Sequence, residues 1–236
     1  LSGSKIQVVD GYAADGWIVS ARTSGAVQLL AVSKLHSADA MAALHAHGQR
    51  DFGENYVQEA VDKILELREL ELTWHFIGAI QTNKTRLIAE HFDWVQSVDR
   101  LKTAQRLAKQ RPAGRQPLDI CLQVNVDDEP GKAGISAGAL LPLIEQVVGL
   151  ERLRLRGLMA IPAVDQCARQ GESFARMQRL WKRSHQCLVE LDGEVGTRYS
   201  RYFDTLSMGM SADLESAIRE GATLVRIGRD IFGERG

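Results

Sequence analysis

Short apolar runs alternate along this chain with stretches whose apolar residues recur every three or four positions. A run of consecutive apolar residues is typical of a strand that is covered on both faces, and the longer spacing is typical of an amphipathic helix. The alternation of the two predicts parallel strands that are joined by crossover helices. The predicted strands occupy residues 29–33, 50–53, 74–78, 94–98, 118–126, 155–161, 205–209 and 224–228.

Amphipathic helices are predicted between these strands. Residues 56–70 show the pattern, with Val57 and Val61 on one face and Glu59 and Lys63 mainly on the opposite, polar face. Similar patterns occupy residues 83–91, 101–110, 139–148, 174–191 and 213–220. A helix is therefore predicted after most of the strands.

Eight strands that alternate with helices close most naturally into a barrel. A chain of 236 residues lies within the usual range for one such barrel. We therefore expect an α/β protein with a single-domain (β/α)8 TIM barrel over residues 26–236. Residues 1–25 are predicted as a separate N-terminal segment. Ile6, Val9, Ala13 and Trp17 would share one face of a helix there, but two glycines between Ile6 and Trp17 weaken such a helix.

The charged residues are almost balanced, with 29 lysines and arginines against 30 aspartates and glutamates. This balance gives no reason to expect a nucleic acid or a membrane surface as partner. No apolar run approaches the ~18 residues that a membrane-spanning helix needs. Three widely spaced cysteines fit neither a disulfide framework nor a metal site. We therefore expect a cytoplasmic protein without a bound metal, whose ligand is a small molecule.

Two basic side chains are predicted at the mouth of the barrel, where barrel enzymes carry their working residues. Alternation along the first strand places Val32 and Lys34 on one face, so a Val32 that points into the barrel brings Lys34 with it. The last strand offers Arg226 to the interior by the same reasoning. Because the last strand lies beside the first in a closed barrel, Lys34 and Arg226 are predicted to be neighbours.

Inward cations are costly unless an anion or a hydrogen-bond acceptor meets them. Barrels often bind phosphate with the loops after strands seven and eight. In this chain those loops contain Ser207 and Gly209, and Gly228 and Arg229, respectively. A lysine at the rim can form a Schiff base with an aldehyde. The sequence therefore favours a ligand that carries both an aldehyde and a phosphate.

Eight short motifs occur at intervals along the chain. They are AVSK at 31–34, FGENY at 52–56, HFIG at 75–78, QTNK at 81–84, RGLM at 156–159, LSMGMS at 206–211, VRIG at 225–228 and IFG at 231–233. Together these motifs are far more specific than any one alone. In sequence and order they resemble the pyridoxal phosphate homeostasis proteins, which share the barrel of the alanine racemase class.

The resemblance implies a bound cofactor, pyridoxal 5′-phosphate (PLP), held as an internal Schiff base on Lys34. It also implies that Asn55 lies beside the cofactor ring and that Arg226 faces the pyridine nitrogen. The residues that it assigns to the phosphate are Ser207, Gly228 and the backbone of Arg229. The chain departs from the family at Arg229, where a small hydroxyl residue is usual.

A guanidinium can only donate hydrogen bonds, so a pyridine nitrogen that faces Arg226 must be unprotonated. Such a ring is a poorer electron sink, which favours holding and releasing PLP over turning over amino acids. We therefore expect a carrier in intracellular PLP homeostasis without established catalysis, as a monomer or weak homodimer, with PLP-dependent apo-enzymes as candidate recipients. The alternatives are a weak amino-acid racemase and a Schiff-base aldolase that acts on a sugar phosphate.

Each of these residues also has a plain structural interpretation. Lys34 alone would more often be a rim residue whose ammonium reaches solvent. Arg226 could pair with Asp204 or Asp213, and Asn55 could equally cap the helix that follows it. The hydroxyl residues that could serve only as caps or turn residues are Ser207 and Ser211.

Overall fold

The computed structural model describes residues 22–23, 25–162, 167–191 and 193–233. A closed barrel of parallel strands forms its centre. The barrel strands are β3 (Gln28–Val32), β4 (Asp51–Glu54), β5 (Thr73–Phe76), β6 (Trp94–Val98), β7 (Leu118–Gln123), β8 (Leu153–Met159), β9 (Thr205–Ser207) and β10 (Leu224–Ile227). A short antiparallel pair, β1 (Arg22–Thr23) and β2 (Gly25–Ala26), precedes the barrel.

Helices connect the successive strands of the barrel. They are α1 (Ala38–Ala46), α2 (Val57–Glu66), α3 (Thr85–His91), α4 (Leu101–Gln110), α5 (Leu140–Val147), α6 (Cys167–Glu190), α7 (Gly193–Tyr202), α8 (Leu214–Arg219) and α9 (Arg229–Phe232). Two 3-10 turns, at Thr82–Lys84 and Ala137–Ala139, lead directly into α3 and α5.

The strands follow the order β10-β3-β4-β5-β6-β7-β8-β9, and each neighbouring pair is parallel. The predicted α/β class and (β/α)8 barrel are therefore confirmed. The barrel closes where β10, its last strand in the sequence, pairs with β3, its first. In this pair Arg226 lies opposite Leu30, and Ile227 lies opposite Ala31. This register brings the carboxyl ends of β3 and β10 together.

Helix α7 was not predicted, because its sequence contains two glycines, which weaken a helix. Tertiary contacts offset this weakness. Tyr199 is buried, and its hydroxyl donates to the carbonyl oxygen of Leu153 at 3.2 Å. Phe203, just after the helix, is also buried and stacks on Trp181 with ring centroids 6.1 Å apart. Packing against the barrel and α6 thus stabilises this helix.

The predicted boundary between an N-terminal segment, 1–25, and the barrel, 26–236, falls mostly outside the described residues, since residues 1–21 and 24 are not among them. This division of the chain stays a prediction. The barrel itself begins with β3, two residues after the end of β2.

The main hydrophobic core lies between the barrel wall and the helices. Helix α4 contributes Ala104 and Leu107, three residues apart on one face, and α5 contributes Leu140 and Ile144, four apart. All four are fully buried, as is Ile120 on β7. Residues at these spacings form a continuous apolar stripe, so each helix packs on the barrel through one face.

Gly157 allows β8 and β9 to approach each other closely. It pairs with Thr205, and a Cβ atom at residue 157 would lie only 1.7 Å from the carbonyl oxygen of Thr205. That oxygen belongs to the backbone, so no side-chain movement can make room. The glycine of the RGLM motif is therefore required by the strand spacing.

We expect Gly157→Ala to lower the free energy of unfolding by about 3 kcal/mol, because the added methyl group forces β8 and β9 apart. Denaturant unfolding would measure the change. Gly138→Ala is the matched control, since a Cβ there meets no atom within 4 Å. Equal stability of the two variants would show that the strands separate at little cost.

Candidate functional site

A cavity of about 600 Å³ opens at the carboxyl ends of the barrel strands. Its size is in the usual range for a small-molecule site. It contains most of the predicted site residues, namely Lys34, Asn55, Arg226, Gly228 and Arg229. The other residues around it are Val32, His36, Ile77, Ile161, Met210, Ser211, Ala212 and Gly233. The predicted meeting of the first and last strands at one mouth is therefore seen in the structure.

Arg226 is buried, with 4% of its surface exposed, and neutral oxygens hold its guanidinium. Nη1 donates to Ser207 Oγ at 2.7 Å, and Nη2 donates to the carbonyl oxygen of Ala160 at 2.8 Å. Burial lowers the pKa of Arg226 to about 10, although the charge of Asp213 acts in the opposite direction. The side chain therefore stays protonated at neutral pH.

The alternative ion pair of Arg226 with Asp204 or Asp213 does not form. Asp204 instead accepts from Arg156, with Nη2 and Oδ2 2.7 Å apart. Asp213 Oδ1 accepts from the backbone N–H of Met210 at 2.6 Å. Among the described residues, no carboxylate therefore contacts the guanidinium of Arg226, which leaves its charge available to an acceptor on a ligand.

Ser207 lies beneath Arg226 rather than on the cavity. It ends β9, is fully buried, and its hydroxyl donates to Gln96 Oε1 at 2.6 Å. The loop that follows brings Ser211 to the cavity instead. Ser211 does not cap α8, whose N-cap residue is Asp213. The two serines differ because Ser207 is the last residue of β9, with its hydroxyl among buried barrel side chains, whereas Ser211 lies beyond the end of the strand.

A chain of polar side chains continues from Ser207 across the barrel. Gln96 Nε2 lies 3.0 Å from His75 Nδ1, and His75 Nε2 lies 3.1 Å from Asp51 Oδ1. Burial raises the pKa of Asp51, but the hydrogen bonds from His75 and Gln28 outweigh it and lower the pKa below 3.8. The roles of Asp51 and Gln96 were not predicted from the sequence, although Gln96 is a polar residue inside a buried strand.

Asn55 carries an unsatisfied acceptor. Its Oδ1 is buried without a hydrogen-bond partner in the described part of the chain. The residue does not cap α2, since the N-cap position is Tyr56. Gly78 lets the next strand pass close by, because a Cβ there would lie 2.2 Å from the carbonyl oxygen of Asn55. A ligand that donates a hydrogen bond would satisfy this amide.

Lys34 lies in the turn between β3 and α1, with a buried polar group behind it. Ser33 Oγ donates to Glu54 Oε1 at 2.7 Å, and Lys63 Nζ lies 2.9 Å from the same oxygen. Lys63 was predicted on the solvent-facing side of its helix, and this prediction is wrong, because buried oxygens bind its ammonium. Burial raises the pKa of Glu54 above 4.5, against the lowering effect of Lys63 and Ser33.

The cavity fits an anionic aldehyde. Lys34 supplies an amine, and Arg226 and Arg229 supply two further cations. None of the described residues around the cavity is acidic. Helix α9 begins at Arg229, and the first backbone N–H groups of a helix have no partner within it. The donor set and the unpaired oxygen of Asn55 therefore suit PLP, which carries a phosphate, an aldehyde and a hydroxyl group.

The sequence profile of the family described as "Alanine racemase, N-terminal domain" matches residues 17–236. A Pseudomonas aeruginosa protein named "Pyridoxal phosphate homeostasis protein" is 56% identical over 215 residues, which cover 91% of this chain and 87% of that protein. The chain belongs to the pyridoxal phosphate homeostasis protein family. A member from Escherichia coli strain K12 is 49% identical over 217 residues, covering 91% of this chain and 88% of its own.

The same family includes solved structures. PipY of Synechococcus elongatus, in a structure with PLP bound, is 40% identical to this chain with a TM-score of 0.74. The match covers 88% of this chain and 92% of the PipY chain. The family recognised from the short motifs is therefore confirmed by relatives of high identity.

Two further properties concern the described residues alone. Among them, no helix is long and apolar enough to cross a membrane. Nor does that part of the chain bring together three or more His, Cys, Asp or Glu side chains in the manner of a metal site.

We expect the free energy of unfolding of the wild type to fall relative to that of Glu54→Gln as the pH rises from about 4 to about 8. A carboxyl whose pKa is raised in the folded state stabilises the fold below its ordinary pKa of 4.5 and loses that contribution as the pH rises through the raised value. Urea unfolding at each pH would measure the difference. A difference in unfolding free energy between the wild type and Glu54→Gln that stays constant across this pH range would contradict the raised pKa.

Proposed function

We propose that this protein binds PLP in the cavity and holds it for intracellular PLP homeostasis, without catalysing a reaction of its own. The proposal rests mainly on one observation, the convergence of Lys34, Arg226 and Arg229 on a cavity whose described lining has no acid. The name of the Pseudomonas aeruginosa relative and the PLP-bound structure of PipY support it.

When bound, PLP supplies an aldehyde, which condenses with a primary amine with loss of water, and an electron-withdrawing pyridine ring. We assign the amine to Lys34, since it is the one lysine among the described residues around the cavity. We assign a hydrogen-bond acceptor for the ligand to Asn55, whose buried Oδ1 is otherwise unsatisfied.

Arg226 supports a carrier rather than an enzyme. Its guanidinium is protonated at neutral pH, because its pKa is about 10, and it can only donate. A ring nitrogen beside it must therefore accept a hydrogen bond and stay unprotonated. Such a ring withdraws electrons less than a protonated one, so an amino acid bound to it is poorly activated.

We assign the phosphate to the two loops that follow β9 and β10. Ser211 offers a hydroxyl, Gly228 and Arg229 offer backbone N–H groups, and the Arg229 side chain offers a charge at the cavity rim. Ser207 is assigned a different role, because Arg226 and Gln96 already occupy its hydroxyl. In this proposal Ser207 orients Arg226.

We further propose that PLP-dependent apo-enzymes of the cytoplasm receive the cofactor. Three exposed apolar side chains support a protein partner. Ile161 lines the cavity, and Leu35 and Tyr56 directly follow lining residues in the chain. Leu35, Tyr56 and Ile161 are 57%, 53% and 41% exposed. Cysteines that are few and widely spaced suit a reducing compartment. A monomer or weak homodimer stays the predicted oligomeric state.

We expect the wild-type protein, incubated with PLP and then desalted, to show a visible absorption band, and Lys34→Ala to lose it completely because no other amine lines the described cavity. Borohydride reduction followed by peptide mass spectrometry should find the adduct on Lys34. The control Lys102→Ala removes an exposed lysine of α4 and should bind normally. A band retained by Lys34→Ala, or turnover of L-alanine to D-alanine at a useful rate, would contradict the proposal.

We expect Arg229→Ala to weaken PLP binding roughly tenfold, as the loss of one hydrogen bond from a charged group would do. Binding of pyridoxal, which lacks the phosphate, should change little. Fluorescence titration with both ligands would give the two affinities, with Arg86→Ala on α3 as an exposed control. An equal loss for pyridoxal would place Arg229 away from the phosphate.

A further inference from the structure

A buried charged cluster lies directly behind the turn that carries Lys34. It consists of Ser33, Glu54, Glu59 and Lys63, and we call it the Lys63 clamp. Lys63 Nζ donates to the carbonyl oxygen of Ser33 at 2.8 Å. It also donates to Glu54 Oε1 at 2.9 Å and to Glu59 Oε1 at 2.6 Å. An ammonium has three donors, so all three are used.

The clamp reaches the peptide groups on both sides of Lys34. On one side Lys63 holds the carbonyl oxygen of Ser33 directly. On the other side the backbone N–H of Leu35 donates to Glu59 Oε1 at 2.6 Å. Glu59 and Lys63 lie one turn apart on α2, so a single rigid helix holds both contacts.

Leu35 needs an external contact to keep its conformation. Its φ angle is 63°, in the left-handed region that a residue with a Cβ atom adopts only at a cost in free energy. Its side chain is 57% exposed, so burial of that side chain contributes little to holding the turn. Two described hydrogen bonds therefore stabilise this backbone conformation. One closes the turn itself, from the backbone N–H of His36 to the carbonyl oxygen of Ser33 at 3.1 Å. The other, from Leu35 to Glu59, is the one that a side chain of α2 supplies.

We propose that Glu59 and Lys63 are positioning residues for Lys34, because they hold the peptide groups on both of its sides and so direct its amine towards the cavity before any ligand arrives. The inference rests on the proposed function, in which Lys34 supplies the amine. Neither positioning residue lines the cavity, so they act through the backbone of the turn.

The clamp also links α2 to β3 and β4, and a purely structural link would be the simpler role. The two roles differ in what a mutation changes. Loss of a structural link lowers the melting temperature but leaves the folded protein with normal PLP binding. Loss of a positioning contact changes the Leu35 backbone and the reactivity of Lys34 in protein that is still folded.

The test uses Glu59→Ala, Glu59→Gln and the exposed control Glu66→Ala on the same helix. The first readout is amide hydrogen exchange of Leu35 in PLP-free protein, measured by NMR at a temperature where every variant is folded. The second is the rate at which added PLP becomes attached to Lys34, followed by borohydride trapping and peptide mass spectrometry. Lys63→Met, compared with Lys102→Met, examines the other half of the clamp.

For Glu59→Ala we expect Leu35 exchange at least tenfold faster and Lys34 attachment roughly tenfold slower, a change of about 1.4 kcal/mol. In Glu59→Gln, the slow exchange of Leu35 and the fast attachment of PLP to Lys34 should be partly restored, because the amide oxygen of glutamine can still accept from Leu35. The inference would be overturned if folded Glu59→Ala showed the wild-type exchange rate of Leu35 and the wild-type rate of PLP attachment. If the alanine variant does not fold, the same result in folded Glu59→Gln would overturn it. A wild type that never attaches PLP to Lys34 would instead refute the proposed function, while Leu35 exchange would still decide whether the clamp holds the turn.

Discussion

A guanidinium enclosed by a barrel must find its hydrogen-bond acceptors inside that barrel. Arg226 is in this position because β10 closes the barrel against β3 in the register that pairs it with Leu30. Ser207 and the carbonyl oxygen of Ala160 meet two of its nitrogens. One polar residue on each of β9, β6, β5 and β4 follows from this requirement, because each forms a hydrogen bond with the residue before it. These residues are Ser207, Gln96, His75 and Asp51. The cavity at the barrel mouth thus lies next to a chain of hydrogen-bonded polar side chains in the barrel interior.

The same barrel closure explains why the site needs so little additional structure. Lys34 and Asn55 each come directly after a residue of the Lys63 clamp, Ser33 and Glu54 respectively. The polar support beneath the mouth is thus built from the strand ends themselves and one helix, α2. A scaffold of this kind keeps an amine and an amide in place through backbone contacts and leaves the cavity lining free for the ligand.

The barrel and the meeting of Lys34 with Arg226 could be predicted because they depend on local periodicity and on closure. The roles of Ser207 and Ser211 could not be predicted, since the sequence does not show that the strand ends at Ser207 and that Ser211, beyond its end, is the serine that reaches the cavity. Lys63 was placed on the solvent face because a helical pattern does not show which polar residues have buried partners. Helix α7 was missed because packing on the barrel outweighs its two glycines.

The direction of the polar chain has a consequence for a residue far from the cavity. Since Arg226 can only donate, the Ser207 hydroxyl accepts from it and must donate its own hydrogen bond to Gln96 Oε1, which turns the amide nitrogen of Gln96 towards His75. Because the Gln96 amide donates to it, His75 Nδ1 must be the unprotonated, accepting ring nitrogen. The ring proton is therefore on Nε2, which donates to Asp51. A guanidinium beside the cofactor site therefore dictates the tautomer of an imidazole on the other side of the barrel.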